Sequence, residues 1–205
     1  MPQSQMTLYF APGACSLASH ILAEEEGLPI TYEQVDLKSH KTMSGADYRR
    51  INPKGYVPAL KLEDGTVLTE NVALLQFLAD LKPEKGLAPA RPSMARVHLE
   101  EWLAYISSEL HKAFAPIFHN KGENEQKDAK REIETRLAYA ETQLAKGKFL
   151  LGDGFTAADA YLFVMLTWCD KAKIDLGKFP HLSEYRERMK ARPAVRTAMA
   201  AEGLV

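Results

Sequence analysis

The hydrophobic pattern of this chain changes its period once, and the change brackets the run PEKGLAPARP, Pro83 to Pro92. Ahead of it, short β-prone runs alternate with helical ones. TLYF (7–10) reads as a strand. Residues 15 to about 26 read as a helix that Gly27 ends. ITYEQVDL (30–37) alternates apolar and polar residues and reads as a strand. The stretch 38–56 is polar and ends in the turn-rich NPKGY. VPALKL (57–62) and VLTE (67–70) are strands joined by an Asp64-Gly65 turn, and NVALLQFLADL (71–81) is a helix. Beyond the linker the apolar positions Leu99, Leu103, Ile106, Leu110, Phe114 and Ile117 fall at helical spacing. Ile133, Leu137 and Leu144 continue it, and residues 156–170 and 181–191 read as two more helices. The pattern predicts an α/β domain over 6–83 and an all-α domain over 92–205.

Composition narrows the class of partner. The chain has 205 residues, 46% hydrophobic and 26% charged, with a formal net charge of -1. A near-neutral balance points to neither nucleic acid nor an anionic membrane. No apolar run approaches the ~20 residues of a membrane span. The leading MPQSQM lacks a basic and an apolar region, so it reads as a polar extension and not as a secretory signal. Cys15 and Cys169 form no C-x-x-C or zinc-like set, and the histidines show no metal-ligand spacing. A reduced, cytoplasmic protein without a metal is the simplest expectation.

Four local features bear on chemistry. In APGACSL, Cys15 stands where a strand gives way to a helix. The helix dipole and first-turn N–H groups favour a thiolate there, although cysteine also packs as a small hydrophobe. Cys169, within AYLFVMLTWC, reads as core. In KGYVPAL, proline opens a strand, either as an ordinary edge residue or through a cis Val57-Pro58 bond that turns the Val57 backbone outward to pair with an extended peptide. In TEN, Glu70 and Asn71 stand at a helix start, which suits a ligand carboxylate with Glu70 on an ammonium. The plainer reading is a helix cap on Thr69 or Asn71. In FTAADAY, Thr156 and Asp159 have capping-box spacing and a structural purpose. His111, in SSELHKAF, has Ser107, Ser108 and Ala115 at helical spacing and so reads as a surface residue off the apolar stripe.

Taken in order, PGACSLASHI, INPKGYVPAL, LTENVALLQFLADL, ELHKAF and FTAADAYLF resemble the glutathione S-transferase superfamily, and more closely its bacterial beta class. The resemblance spans about Met6 to Leu204. It implies a thioredoxin-like N-terminal domain, an all-helical C-terminal domain, a homodimer, and glutathione as cosubstrate. It implies that Val57, ahead of a cis Pro58, pairs with the cysteinyl part of glutathione, and that Glu70 and Asn71 hold the γ-glutamyl end. Cys15 would lie beside the glutathione sulfur, and His111 at the active site. His40 and Lys41 occupy the places of a Lys-Lys pair that contacts the glycyl end. Asn71 varies the usual turn residue, and Ala104 replaces an asparagine of the long helix. The implied reaction is attack of the glutathione thiolate on a small hydrophobic electrophile, placed over residues such as Tyr105 or Trp168. Two further readings are a thiol-disulfide reductase, peroxidase or reductive dehalogenase working through Cys15, and a non-catalytic carrier or interaction module.

Overall fold

The computed structural model describes residues 6–205, so the polar extension read at the N-terminus lies outside it except for Met6. Two compact units divide the chain, one of residues up to Lys85 together with Arg192–Val205, the other Gly86–Ala191.

The first unit contains β1 (Met6–Phe10), α1 (Ser16–Glu26), β2 (Ile30–Asp36), β3 (Lys41–Thr42), β4 (Ala59–Lys61), β5 (Val67–Thr69) and α2 (Asn71–Leu81). The strands form one sheet in the order β3-β2-β1-β4-β5. β1 and β2 run parallel, as a helical crossover requires, while β4 and β5 are an antiparallel hairpin and β4 is antiparallel to β1. Alternation along the strands sends Tyr9, Ala11, Val35 and Ala59 to one face, where Tyr48 of a 3₁₀ turn (Tyr48–Arg50) covers them. Leu8 and Leu60, paired across β1 and β4, are fully buried with the opposite parity. The polar stretch 38–56, expected as a turn region, thus contributes an edge strand and a core tyrosine.

α1 ends where Gly27 enters the left-handed region at φ 59, a conformation open to glycine without steric cost. Its flanks pack on α2 and on α8 (Pro193–Ala201), the last helix of the chain. The sequence reading shows no separate helix there and counts this segment with the C-terminal domain; in the fold it packs in the first unit. Glu202, next after α8, is buried and joins three elements. Its Oε2 accepts the Gly13 N–H at 2.9 Å, and its Oε1 lies 3.0 Å from His20 Nδ1. His20 is itself stacked on Tyr32, with ring centroids 3.9 Å apart.

The second unit is helical: α3 (Met94–Tyr105), a π-helical segment (Ile106–His111), α4 (Ala115–Phe118), α5 (Glu123–Leu144), α6 (Ala157–Ala172) and α7 (Pro180–Lys190). α6 is its axis, buried along nearly its whole length. The capping box read from FTAADAY is present. Asp159 Oδ2 accepts from the Thr156 N–H and hydroxyl, each at 2.8 Å, and Oδ1 accepts from the Leu150 N–H at 2.9 Å. Tyr185 donates to the Asp159 backbone carbonyl at 2.8 Å and reaches its carboxylate Oδ1 at 3.3 Å, so one residue gathers a loop and two helices. Burial nevertheless pushes the Asp159 carboxyl up to about 6. None of the helices described is long and apolar enough to cross a membrane.

Two outcomes follow for stability. Replacing Glu202 with Ala removes the acceptor of the half-buried Gly13 N–H and the partner of the buried His20 imidazole, and urea unfolding is expected to show a loss of roughly 3 kcal/mol, with a smaller loss for Glu202→Gln. Glu26, at the end of α1, is buried with neither carboxylate oxygen hydrogen-bonded, and burial raises its pKa to about 7. A carboxyl whose folded pKa exceeds its unfolded value contributes stability below about pH 4.5 that is lost as the pH rises through about 7. Glu26→Gln is therefore expected to raise the melting temperature at pH 8 and leave it nearly unchanged at pH 5.

Candidate active site

Register brings the singled-out residues of the first unit to one end of the sheet. Tyr9 pairs with Ala59, and Ala59 with Thr69. The exit of β1, the entry of β4 and the exit of β5 therefore coincide; Cys15 follows β1 after a short loop, Val57 precedes β4 across Pro58, and Glu70 follows β5 directly.

Cys15 is the N-cap of α1, at φ -61 and ψ -18, with no side-chain capping bond. Its strand-to-helix loop is fixed from several sides. Gly13 sits at φ 67 with its N–H on Glu202, and Ser16 Oγ accepts the Ala11 N–H at 3.2 Å. The half-buried Cys15 sulfur lies 3.5 Å from the Val57 carbonyl oxygen, a thiol-to-carbonyl contact. Both cysteines are thiols, but burial pushes Cys169 up to about 12, and its sulfur donates to the Met165 carbonyl within its own helix. The two cysteines thus differ in burial, Cys15 half-buried and Cys169 in the core as its sequence context implies.

The Val57-Pro58 bond is cis. What places Val57 is the preceding turn, whose Tyr56 carbonyl accepts from the Tyr48 hydroxyl at 2.7 Å and from the Asn52 amide at 2.8 Å. His40 is held over the same turn. A Cβ added at Gly55 would stand 3.1 Å from the His40 ring, so glycine is needed for this approach as well as for its φ of 72. His40 itself adopts φ 53, and its Nδ1 is buried without a hydrogen-bond partner. Lys41 lies on the edge strand β3 with its side chain in solvent. Of the two, His40 is the one on the Val57 turn.

Glu70, not Thr69 or Asn71, is the N-cap of α2, and it makes no side-chain capping bond. Its backbone is at φ 70 and ψ 115, a strained conformation for a residue with a Cβ. The strain turns its carboxylate outward, where Lys54 Nζ meets it at 2.6 Å and also reaches Thr69 Oγ1 at 3.0 Å. Asn71 begins the helix instead. Its buried side chain accepts from the Ser19 hydroxyl at 2.9 Å and so joins α2 to α1, leaving Nδ2 without a partner. Lys54 is a residue the sequence reading misses. NPKG marks a turn, but only strand pairing brings its lysine to Glu70.

In the second unit His111 differs from its sequence expectation. The spacing argument assumes 3.6 residues per turn, whereas Ile106–His111 is π-helical, and the wider turn rotates the following residues about the axis. His111 is consequently packed inward. Its Nδ1 is 2.6 Å from the Tyr161 hydroxyl, and its ring meets Trp168 edge-on at 4.8 Å. Burial, and secondarily Lys112, depress its pKa to about 4. It is therefore a neutral hydrogen-bonding group at pH 7. Trp168 also contacts Phe114 and Phe118. Tyr105 belongs to a different aromatic group, with Trp102 and Tyr139, and donates to the Arg136 carbonyl at 3.0 Å. The structure does not bring Tyr105 and Trp168 together. Among the described residues no cluster of His, Cys, Asp and Glu has the makings of a metal site.

The neutral state of His111 has a direct check. In histidine-labelled protein its ring resonance is expected to stay unprotonated through pH 5 and to titrate near 4, well below the ordinary ~6.5.

The two halves of the chain match two family models, the glutathione S-transferase N-terminal domain over residues 13–81 and the C-terminal domain over residues 102–193. The glutathione S-transferase GstA of Escherichia coli O157:H7 is 44% identical over 200 residues, covering 97% of this chain and all of the relative. A glutathione transferase from Methylococcus capsulatus strain Bath superposes with a TM-score of 0.96 at 52% identity, covering 98% of this chain and all of the other. A sphingomonad glutathione S-transferase, solved in complex with glutathione, superposes with a TM-score of 0.94 at 42% identity over 97% of this chain and all of the other. With both domains matched and near-complete coverage, the chain belongs to the glutathione S-transferase family.

Proposed function

We propose that the chain binds glutathione at the Cys15 end of its sheet and adds the glutathione thiolate to small hydrophobic electrophiles. The observation that carries this reading is the contact between the Cys15 thiol and the Val57 carbonyl oxygen, at the same sheet end as Glu70. The Val57 backbone pairs with the cysteinyl peptide unit of the substrate. Glu70 takes the γ-glutamyl ammonium, a position its Lys54 partner now fills with an ammonium of its own. The N-terminus of α2, opened by Asn71, receives the γ-glutamyl carboxylate. His40, whose ring lies over the Val57 turn, suits the glycyl carboxylate better than the solvent-exposed Lys41. The α1 dipole lowers the cost of a thiolate next to Cys15.

The resemblance assigns His111 to the active site, where it serves as an uncharged N–H donor to the glutathione thiolate; Trp168 is our choice for an apolar wall of the electrophile pocket. Tyr105 is the less supported member of that pocket, given its separate packing. A homodimer, from the resemblance, and a reducing cytoplasm, from the sparse and unpaired cysteines, complete the reading.

The Cys15 thiol also favours a second reaction. Its thiolate attacks the glutathionyl sulfur of a glutathionylated substrate, expelling the substrate as a thiolate and leaving a protein–glutathione mixed disulfide. A glutathione thiolate then attacks the bound glutathionyl sulfur, forming oxidised glutathione and releasing the Cys15 thiolate.

One experiment separates these. Intact mass after incubation with oxidised glutathione is expected to show a single glutathione adduct on the native protein, removed by reductant and absent from Cys15→Ala. Conjugation of an activated aryl halide is expected to fall by only about fivefold in that variant, the value of one hydrogen bond, while thiol exchange is lost. Failure of the native protein to form the adduct would remove Cys15 from the chemistry. Failure to be retained on immobilised glutathione would remove the reading as a whole.

A further inference from the structure

We propose that Tyr161 is a positioning residue: its phenol donates to Nδ1 of His111 and holds the imidazole in the tautomer that carries its hydrogen on Nε2. The inference rests on the assignment of His111 to the reaction made above.

The geometry begins with α6. Tyr161 is the fifth residue of that helix, and the Thr156–Asp159 capping box fixes where the helix begins. Trp168 lies seven residues further on, two turns along the same face. One rigid helix therefore offers His111 a hydroxyl 2.6 Å from Nδ1 and an indole against its ring at 4.8 Å. Tyr161 is 1% exposed, so its hydroxyl sits in a medium where a mismatched donor or acceptor is costly. The Tyr161 ring stands at 89° to the imidazole, which further limits rotation of the histidine about its own axis.

Chemistry decides the direction of the bond. A phenol is a stronger acid than a neutral imidazole N–H, and an imidazole nitrogen is a far stronger base than a phenol oxygen. O–H···N is thus the favoured arrangement, which places the single ring hydrogen on Nε2. Nε2 makes no hydrogen bond to any described residue and is not among the sealed, unpartnered polar atoms, so solvent or a ligand reaches it. The ring is uncharged at neutral pH, with Lys112 as the nearby cation. What it offers an anionic sulfur is therefore one N–H. In the other tautomer Nε2 would present a lone pair to that anion and repel it. Tyr161 thus acts on the reaction through the histidine.

The test combines nitrogen NMR of histidine-labelled protein with conjugation kinetics, using glutathione and an activated aryl halide, for the native chain, Tyr161→Phe, His111→Ala and the double variant. The native spectrum is expected to show His111 as a single tautomer protonated on Nε2, and Tyr161→Phe to give averaged shifts. Tyr161→Phe is expected to lower kcat/KM by about fivefold, and adding it to His111→Ala to cost nothing more, as two residues of one pathway do. A native spectrum with the hydrogen on Nδ1, an unchanged spectrum in Tyr161→Phe, or an additive double variant would overturn the proposal. Full activity in His111→Ala would overturn it through the underlying assignment, and the native spectrum, which needs no variant, tells that failure from a wrong tautomer.

Discussion

The carboxylate of Glu202 is the constraint on which the site of the first unit depends. It is buried, it comes from the far end of the chain, and it is shared between the Gly13 N–H and His20. Gly13 belongs to the loop that delivers Cys15, and His20 lies one turn into the helix that Cys15 caps. The same side chain thus fixes the loop and the helix on either side of the thiol. A buried carboxylate tolerates little displacement, because each donor it loses leaves a polar group without water. The Cys15 sulfur inherits that rigidity, and the Val57 turn, tied to Tyr48 and Asn52, meets it from the other side.

Around this fixed point the remaining groups are set by backbone conformations that side chains ordinarily avoid. Glu70 and His40 both lie at positive φ, and both carry functional groups at the same sheet end. Such residues persist only where neighbouring structure holds them. Hairpin pairing holds Glu70, and the Tyr48 N–H bond to the His40 carbonyl, at 2.8 Å, holds His40. The consequence for Glu70 is an outward carboxylate with an ammonium already on it. The exposed pair with Lys54 contributes little to stability.

The second unit solves a different problem, that of keeping a histidine uncharged yet oriented. Burial removes the charge, the π-helical turn carries the ring inward, and α6 supplies the Tyr161 and Trp168 contacts that fix its direction. The Asp159 network underlies all of this by fixing the start of α6. The residue read as purely structural and the residue read as a surface histidine are thereby parts of one arrangement.

Much of this was legible in the chain before any coordinates. Period-two alternation in ITYEQVDL, the Asp64-Gly65 turn, Gly27 as a helix stop and the FTAADAY cap are local signals, decided by residues within a few positions of one another. The strand-to-helix position of Cys15 and the core position of Cys169 were legible for the same reason. What escaped the sequence was non-local or depended on a departure from ideal geometry. The pairing of Lys54 with Glu70 follows from strand register across a hairpin. The return of Glu202 to Gly13 spans nearly the whole chain. The inward turn of His111 comes from a π-helical segment that a 3.6-residue period cannot register. Local sequence determined which elements form and where they stop, because backbone propensity and capping act at short range. Tertiary packing alone decided which side chains share a site and which of them carry charge, because desolvation and hydrogen-bond partners come from residues distant in the chain.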